Sequence, residues 1–251
     1  MIDLLVVDII KETENANSYI LKDINNSIKN FYPGQYITLV IDNDKENIKR
    51  SYSVSSLPNI LPLLKITIKH NNKSLFYTEF ANKIKIGDII KAEKIAGNFY
   101  IKINTTINNF LFIAAGSGIT PIFSMINQLL EERKDVNIKL IYQNRNENVV
   151  IYNKELKNLQ SVYKNFEVEY YYSQPINFNS IVSKKLNSEL LTILYLKNKE
   201  FLSKSEIYVC GPDKFIEIVF NTFKNYGINE NRLKREVFNT KSKNNKILLE
   251  I

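Results

Sequence analysis

Residues 110 to 126, FLFIAAGSGITPIFSMI, set Gly116 and Gly118 between an apolar run and a Thr120-Pro121 pair. A strand that turns through glycine into a helix presents unpaired backbone N–H groups and the positive end of a helix dipole, which suits a phosphate. The two glycines remove the side chains that would obstruct a close approach. The dinucleotide fingerprint with a third glycine is not met, because Pro121 stands in that place. A second group is RSYSVSS, residues 50 to 56. Arg50 offers a fixed, always-charged fork matched to a phosphate. Tyr52 falls on the same strand face and can lay its ring against a flat heterocycle, and Ser53 adds a hydroxyl able to bond a ring nitrogen. A third group is EIYVCGPDKF, where Cys210 closes a strand and Gly211-Pro212 turns. That places Cys210 at the carboxyl edge of a parallel sheet, where open α/β sheets bind ligands.

Equally informative is the chemistry that is missing. The chain of 251 residues has one cysteine and one histidine. An internal disulfide, a metal centre built by this chain and a Ser-His-Asp triad are therefore not expected. Any difficult step falls to a bound cofactor. The net charge of +8 goes with abundant Lys and Asn and reads as a solvated surface, so neither nucleic acid nor a membrane is the expected partner. No apolar run approaches the roughly 18 to 20 residues of a membrane span. The first residues carry Asp3 and Asp8 where a signal peptide would be basic, so a cytoplasmic location is expected.

Two kinds of element must position these groups. Up to about residue 103, short runs rich in β-branched and aromatic residues (DLLVVDII, SYILKD, QYITLVID, RSYSVSS, LLKITIKH, DIIKAEKI) alternate with turns at Pro33-Gly34, Pro58-Asn59 and Gly87-Asp88. Six strands at this spacing predict an antiparallel barrel, with a short helix near SLFYTEFANKI. After the polar stretch NTTINN, strands FLFIAA, IKLIYQ, FEVEYYY and EIYVCG alternate with helical segments, which argues a parallel sheet flanked by helices. Thr120 is expected to cap the first helix and Pro121 to open it, with Ile122, Met125, Ile126, Leu129 and Leu130 as its buried stripe.

PGQY at 33–36, RSYS at 50–53, GSGITP at 116–121, VCGP at 209–212 and REVF at 235–238, in this order, resemble the ferredoxin–NADP reductase family over essentially the whole chain. The resemblance implies a six-stranded flavin-binding barrel, residues 1–105. A five-stranded parallel nucleotide-binding unit follows at 106–240, with a tail at 241–251. It places Arg50 on the flavin phosphates and Tyr52 and Ser53 on the flavin ring and ribityl side, with Ser51 among the cofactor-binding residues. Thr67 and Lys69 then line the flavin, and Phe76-Tyr77-Thr78 begin a helix that holds its pyrophosphate. The family's glycine and serine are missing from this last segment; either Ser74 or Thr78 stands in, and FAD is favoured over FMN. Gly116 and Gly118 admit the pyrophosphate of the nicotinamide nucleotide, and Thr120 touches the junction between the two ligands. Cys210, with Gly211 and Pro212, lies near its reactive ring. Glu236 and Phe238 reach back over the flavin; Phe238 is either a shield for one ring face or an ordinary buried strand residue. Ser53, Cys210 and Glu236 are the expected catalytic positions. His70, just after the Thr67 strand, is more readily a bystander.

The activity implied is hydride transfer between NADPH and FAD, with single electrons passing to an acidic carrier, ferredoxin or flavodoxin. A flavin reductase and a non-catalytic electron-relay subunit are the alternatives. Arg145 and Ser173, past the second and third parallel strands, are placed to meet a 2′-phosphate. Gln174 stands where many NADPH-specific relatives have Arg, so some use of NADH is expected. Cluster cysteines are absent and the chain ends eleven residues after Thr240, so a separate acceptor is expected. Arg232, Lys234, Arg235, Lys241, Lys243 and Lys246 against Glu236 mark its docking segment. KILLEI reads as a strand that pairs with an edge of this protein or of a partner.

Overall fold

The computed structural model describes residues 1–42, 47–70, 76–77, 80–176, 185–238 and 248–249. The amino-terminal half is a barrel of β1 (Ile2–Thr13), β2 (Ala16–Asp23), β3 (Tyr36–Asp42), β4 (Asn47–Ser53), β5 (Leu63–Lys69) and β6 (Ile89–Ala92). These six pair antiparallel in the order β4-β3-β6-β1-β2-β5. A bridge between Val54 and Ile66 brings the two ends of the sheet together. The alternation read from the sequence sets which face is inside. Leu4, Val6, Leu21, Ile37, Leu39, Leu64 and Ile66 are buried together, while the residues between them face outward or across the pleat.

The second half carries β7 (Asn109–Ala115), β8 (Asn137–Asn144), β9 (Phe166–Tyr172), β10 (Ser205–Gly211) and β11 (Leu233–Val237) in one parallel sheet of order β11-β10-β7-β8-β9. The fifth strand is the one carrying REV of the REVF motif. Helices α1 (Ile119–Glu132) and α2 (Asn153–Val162) cover one face; α3 (Ser188–Lys197), α4 (Lys199–Ser203) and α5 (Asp213–Asn225) cover the other. The chain runs outward from β7 to β9, then returns to start β10 on β7's other side. That reversal opens a crevice at the carboxyl ends of β7 and β10.

The expected start of the first helix is corrected, and two further local features were not anticipated. Helix α1 starts at Ile119 with Gly118 before it, so Thr120 lies inside the first turn and caps nothing. Its hydroxyl donates instead to the Ser117 carbonyl at 3.0 Å, and Pro121 occupies the third helical position rather than the first. Helix α2 begins one residue after Tyr152, which takes a left-handed conformation (φ 60°) and buries its ring completely. The long segment 188–204 divides at Asn198, whose side-chain amide donates to the Leu194 carbonyl and ends α3.

The polar stretch after residue 103 is pinned, not slack. The Arg133 guanidinium donates to the carbonyls of Thr105 and Ile107 and to the Asn108 side chain. Gly34 packs on the Phe99 carbonyl and near Met125 of α1, and Phe99 meets Tyr208 edge-on at 5.6 Å. The barrel and the parallel sheet thus share packed contacts. From KILLEI, β12 (Leu248–Leu249) runs parallel to β4 beside Arg50 and Ser51.

Candidate functional site

A cleft at the seam between the two halves is lined by Ser51, Tyr52, Ser53, Thr67, Lys69, Ser117, Thr120 and Phe238. Seven of these were singled out from the sequence, and they come from β4, β5, the start of α1 and the end of β11. Alternation along β4 sends Arg50 and Tyr52 to one face. The Arg50 guanidinium sits 5.9 Å from the centre of the Phe76 ring and donates to the Lys49 carbonyl at 2.8 Å. Tyr52 is buried against the same ring at 5.7 Å. Phe76 is itself fully buried, with Phe80 packed edge-on to it, so its part is to brace Tyr52 and Arg50. The Ser51 hydroxyl is engaged with Thr38 at 2.7 Å. Phe76 and Tyr77 are helical, as expected, and Tyr77 lies 4.9 Å from the His70 ring. Thr78 and Ser74 lie outside the described residues.

The glycine turn divides into two different requirements. Gly116 has φ 55°, a left-handed conformation that suits glycine, and the space where its Cβ would stand is open except for Lys69 Nζ at 3.5 Å. Gly118 has an ordinary φ, but a Cβ there would collide with the Cys210 carbonyl and come within 2.8 Å of the Gly211 nitrogen. Gly118 therefore lets the β7 and β10 turns close on each other. Only Gly116 leaves a cradle for something else.

Lys69 is the cation over that cradle. Its amine is largely buried, has no ionic or hydrogen-bonded partner among the described residues, and is pushed below the ordinary lysine range by burial. A buried unpaired ammonium is costly, and an anion in the cleft relieves it. The resemblance puts Lys69 beside the flavin; it lines the cleft with Ser51, Tyr52 and Ser53, and its ammonium also reaches the Gly116 turn of the second half.

Several buried polar atoms around the cleft also lack partners among the described residues: Ser53 Oγ, Ser117 Oγ and Glu236 Oε2. Glu236 stands next to Cys210 in the β10–β11 register. Burial raises its carboxyl to about 8, against a smaller lowering by the Ser53 hydroxyl that faces it without forming a hydrogen bond of good geometry. Glu236 is thus mostly protonated at neutral pH. Cys210 is fully buried in the core with Phe238 and is not among the residues lining the cleft. Burial and the neighbouring Glu236 hold its thiol well above the usual cysteine range. The orphaned hydroxyls, the open Gly116 turn and the unpaired Lys69 fit a polar, anionic, ring-bearing ligand of dinucleotide kind.

At the outer end of the sheet, Arg145 and Ser173 are both exposed, past β8 and β9. Arg145 Nε donates to the Gln174 side chain at 2.7 Å, so the residue that departs from the family's arginine holds Arg145 in place. Within the basic docking segment Lys234 and Arg235 are exposed, and one described cation is committed to the fold itself. Arg232 is spent on the Leu202, Ser203 and Ser205 carbonyls. Arg235 lies over the Phe220 ring at 5.2 Å, and Lys241, Lys243 and Lys246 fall outside the described residues. Sequence reasoning missed Ser117, which lies between the two glycines, and Tyr142, whose phenol donates to the Gly116 carbonyl at 3.0 Å and steadies the turn.

Comparison with known proteins agrees with this geometry. Residues 5–100 match the family model of an oxidoreductase FAD-binding domain and residues 112–220 that of an oxidoreductase NAD-binding domain. Flavohemoprotein B of Dictyostelium discoideum is 27% identical over 93% of this chain, and the glycine betaine monooxygenase reductase subunit of Pseudomonas aeruginosa is 26% identical over 92%. The chain spans 58% and 63% of those two proteins' lengths. The ferredoxin-NADP+ reductase of Plasmodium falciparum superposes with a TM-score of 0.77 at 26% identity, over 94% of this chain and 95% of that one. Among the described residues no helix is long and apolar enough to cross a membrane. The chain belongs to the FAD- and NAD-binding oxidoreductases of the ferredoxin–NADP reductase family, with FAD and a pyridine nucleotide as its cofactors.

Proposed function

We propose that the protein takes a hydride from NADPH onto bound FAD and releases the electrons singly to a separate acidic carrier of the ferredoxin or flavodoxin kind. The observation that carries this reading is the seam itself. Lys69 from the barrel and Gly116 from the parallel sheet converge on one cleft, so a flavin held on β4 and a nucleotide held at the β7–α1 turn would meet ring to ring. In this division of labour residues 1–105 hold the flavin and 106–240 the nucleotide.

The bound FAD supplies the capacity to accept a hydride and give up single electrons. The chain's own residues supply the rest. Arg50 neutralises flavin phosphate, and Tyr52 and Phe238 wall the ring site and keep water out. Lys69 and the Gly116 turn take the nucleotide's pyrophosphate. Glu236, protonated and facing Ser53, holds a proton at the cleft wall. Cys210 packs behind that wall and sets its shape. Arg145 and Ser173 read the 2′-phosphate that distinguishes NADPH. The names of the Pseudomonas reductase subunit and the Plasmodium reductase support an electron-delivering role.

Anaerobic stopped-flow mixing of the FAD-loaded protein with NADPH, followed by ferredoxin, flavodoxin or free flavin, tests the reading. Rapid bleaching of tightly held FAD and reoxidation by a protein carrier are expected. FAD lost on dilution, with free flavin consumed as substrate, would establish the flavin-reductase alternative instead.

A further inference from the structure

On the barrel side of the cleft, a line of side-chain hydroxyls leads away from Thr67 toward the surface. Thr67 Oγ1 lies 2.6 Å from Ser18 Oγ, and Ser18 donates to Glu12 Oε1 at 2.5 Å. Thr67 lines the cleft, Ser18 is fully buried and Glu12 is half-buried, so the three run from ligand site through core toward solvent. A fourth group joins from the other half of the molecule: the Tyr152 phenol is hydrogen-bonded to Thr67 Oγ1.

We infer that Thr67, Ser18 and Glu12 form a proton exit from the cleft, with Tyr152 as the positioning residue that orients it. The inference rests on the proposed one-electron output. A hydride brings two electrons and one hydrogen nucleus; when both electrons leave singly to one-electron acceptors, a proton remains in a buried cleft. The balance is NADPH plus two oxidised acceptors giving NADP+, two reduced acceptors and one proton. That proton needs a route, and Glu236 offers none, since its free oxygen has no hydrogen-bonded chain leading outward among the described residues.

The polarity of the chain suits export. An ionised carboxylate only accepts, so Glu12 commits the Ser18 hydrogen outward. Thr67 must then donate to Ser18, and Tyr152 to Thr67. Transfer consists of a proton arriving on Thr67 Oγ1, the Thr67 hydrogen moving to Ser18, the Ser18 hydrogen moving to Glu12, and Glu12 releasing it to water. Each hydroxyl ends with one hydrogen. Glu12 is raised by burial and by Glu155 of α2, against lowering by Ser18, by Lys65 and by the Tyr152 backbone. The Lys65 ammonium that faces it lies over the Phe123 and Tyr152 rings at 4.9 and 4.5 Å. Tyr152 holds its proton far above the ordinary tyrosine range through burial, so it orients the chain without becoming its source. Its left-handed backbone and its tilted ring contact with Phe123 at 4.3 Å fix the phenol over Thr67.

The test uses Ser18→Ala and Glu12→Gln in the full chain, the second being isosteric and guarding against a folding defect in the first. In the FAD-loaded protein, anaerobic reduction by NADPH should keep its native rate. Reoxidation by ferricyanide, a one-electron acceptor, should slow roughly tenfold or more and lose its dependence on pH through the Glu12 range. Without FAD, infrared titration should show a carboxyl band that disappears in Glu12→Gln and whose midpoint rises in Ser18→Ala, because the donated hydrogen bond is gone. Variants that match the native protein in reoxidation overturn the relay alone, as do variants that slow both phases equally and merely lower Tm. A native protein that takes no hydride from NADPH overturns the underlying reading and the relay with it.

Discussion

The two walls of the cleft are built differently. On the barrel wall the polar groups are side chains on strands: the hydroxyls of Ser51 and Thr67 already have partners, while Ser53 Oγ and the Lys69 ammonium have none among the described residues. On the opposite wall the recognition surface is backbone, the Gly116–Gly118 turn, and the side chains of Ser117 and Glu236 nearby stand unsatisfied among the described residues. A prepaid hydrogen-bond network costs nothing to keep in the empty protein, whereas orphaned buried groups cost free energy until a ligand meets them. The barrel wall thus mixes preorganised hydroxyls with two groups that wait for a ligand, whereas the sheet wall relies on its ligand throughout.

If that contrast is right, the largest response belongs to Glu236. Its carboxyl is raised to about 8 in the fold, against an ordinary 4.5. The folded protein therefore holds a proton that the unfolded chain gives up above pH 4.5. Stability from this group is full below that pH and is lost as pH rises toward 8, at up to about 1.4 kcal/mol per pH unit. Denaturant melts of the FAD-free protein between pH 5 and pH 9 should show this slope on the order stated. Glu236→Gln, which cannot ionise, should flatten it; an unchanged slope would mean the carboxyl is solvated.

Arg50→Ala probes the barrel wall. It removes a charge-assisted phosphate contact worth about 1.5 to 3 kcal/mol, so FAD should bind roughly ten- to a hundredfold more weakly. The fold should survive, because the guanidinium lies over Phe76 and the core beneath is apolar. Flavin fluorescence on dilution measures the loss, and unaltered retention removes Arg50 from the phosphate site.

The two glycines sharpen the contrast within one turn. Gly118→Ala forces a methyl group onto the Cys210 carbonyl and should cost about 1 to 3 kcal/mol of stability, lowering Tm by several degrees. Gly116→Ala meets only a flexible lysine tip but must hold φ 55°, a cost of roughly 1 kcal/mol. Its larger effect should be on the nicotinamide nucleotide, seen as a raised KM with FAD retention unchanged. Equal losses of Tm and equal KM in the two variants would erase the distinction.

The strands were legible because a half-buried strand writes its burial into alternate residues, as Ile2, Leu4 and Val6 do. The α1 stripe was legible for the same reason at helical period. The Thr120 cap was misread because GSGITP permits two starts, and only the packing of Gly118 on Cys210 decides between them. Composition alone could not reveal that Arg232 is consumed by three backbone carbonyls of its own fold. Nor does anything in VVIYNKEL announce a left-handed Tyr152 reaching into the barrel. That contact joins residues 85 positions apart, and it exists only once both halves are folded.

The smallest expected effect lies at the rim, where both walls give way to solvent. Arg145 is exposed and already bonded to Gln174, so its contact with a 2′-phosphate competes with water and with that amide. Exposed ion pairs contribute about 1 kcal/mol or less, which corresponds to roughly three- to fivefold in affinity. Arg145→Ala should therefore lower kcat/KM for NADPH by about that factor and leave NADH untouched. Gln174→Arg should move the preference the other way, since it adds a second cation beside Ser173. Should Arg145→Ala depress both nucleotides by the same factor, Arg145 shapes the loop and does not read the phosphate. Discrimination would then fall to Ser173, whose replacement by Ala should erase what preference remains.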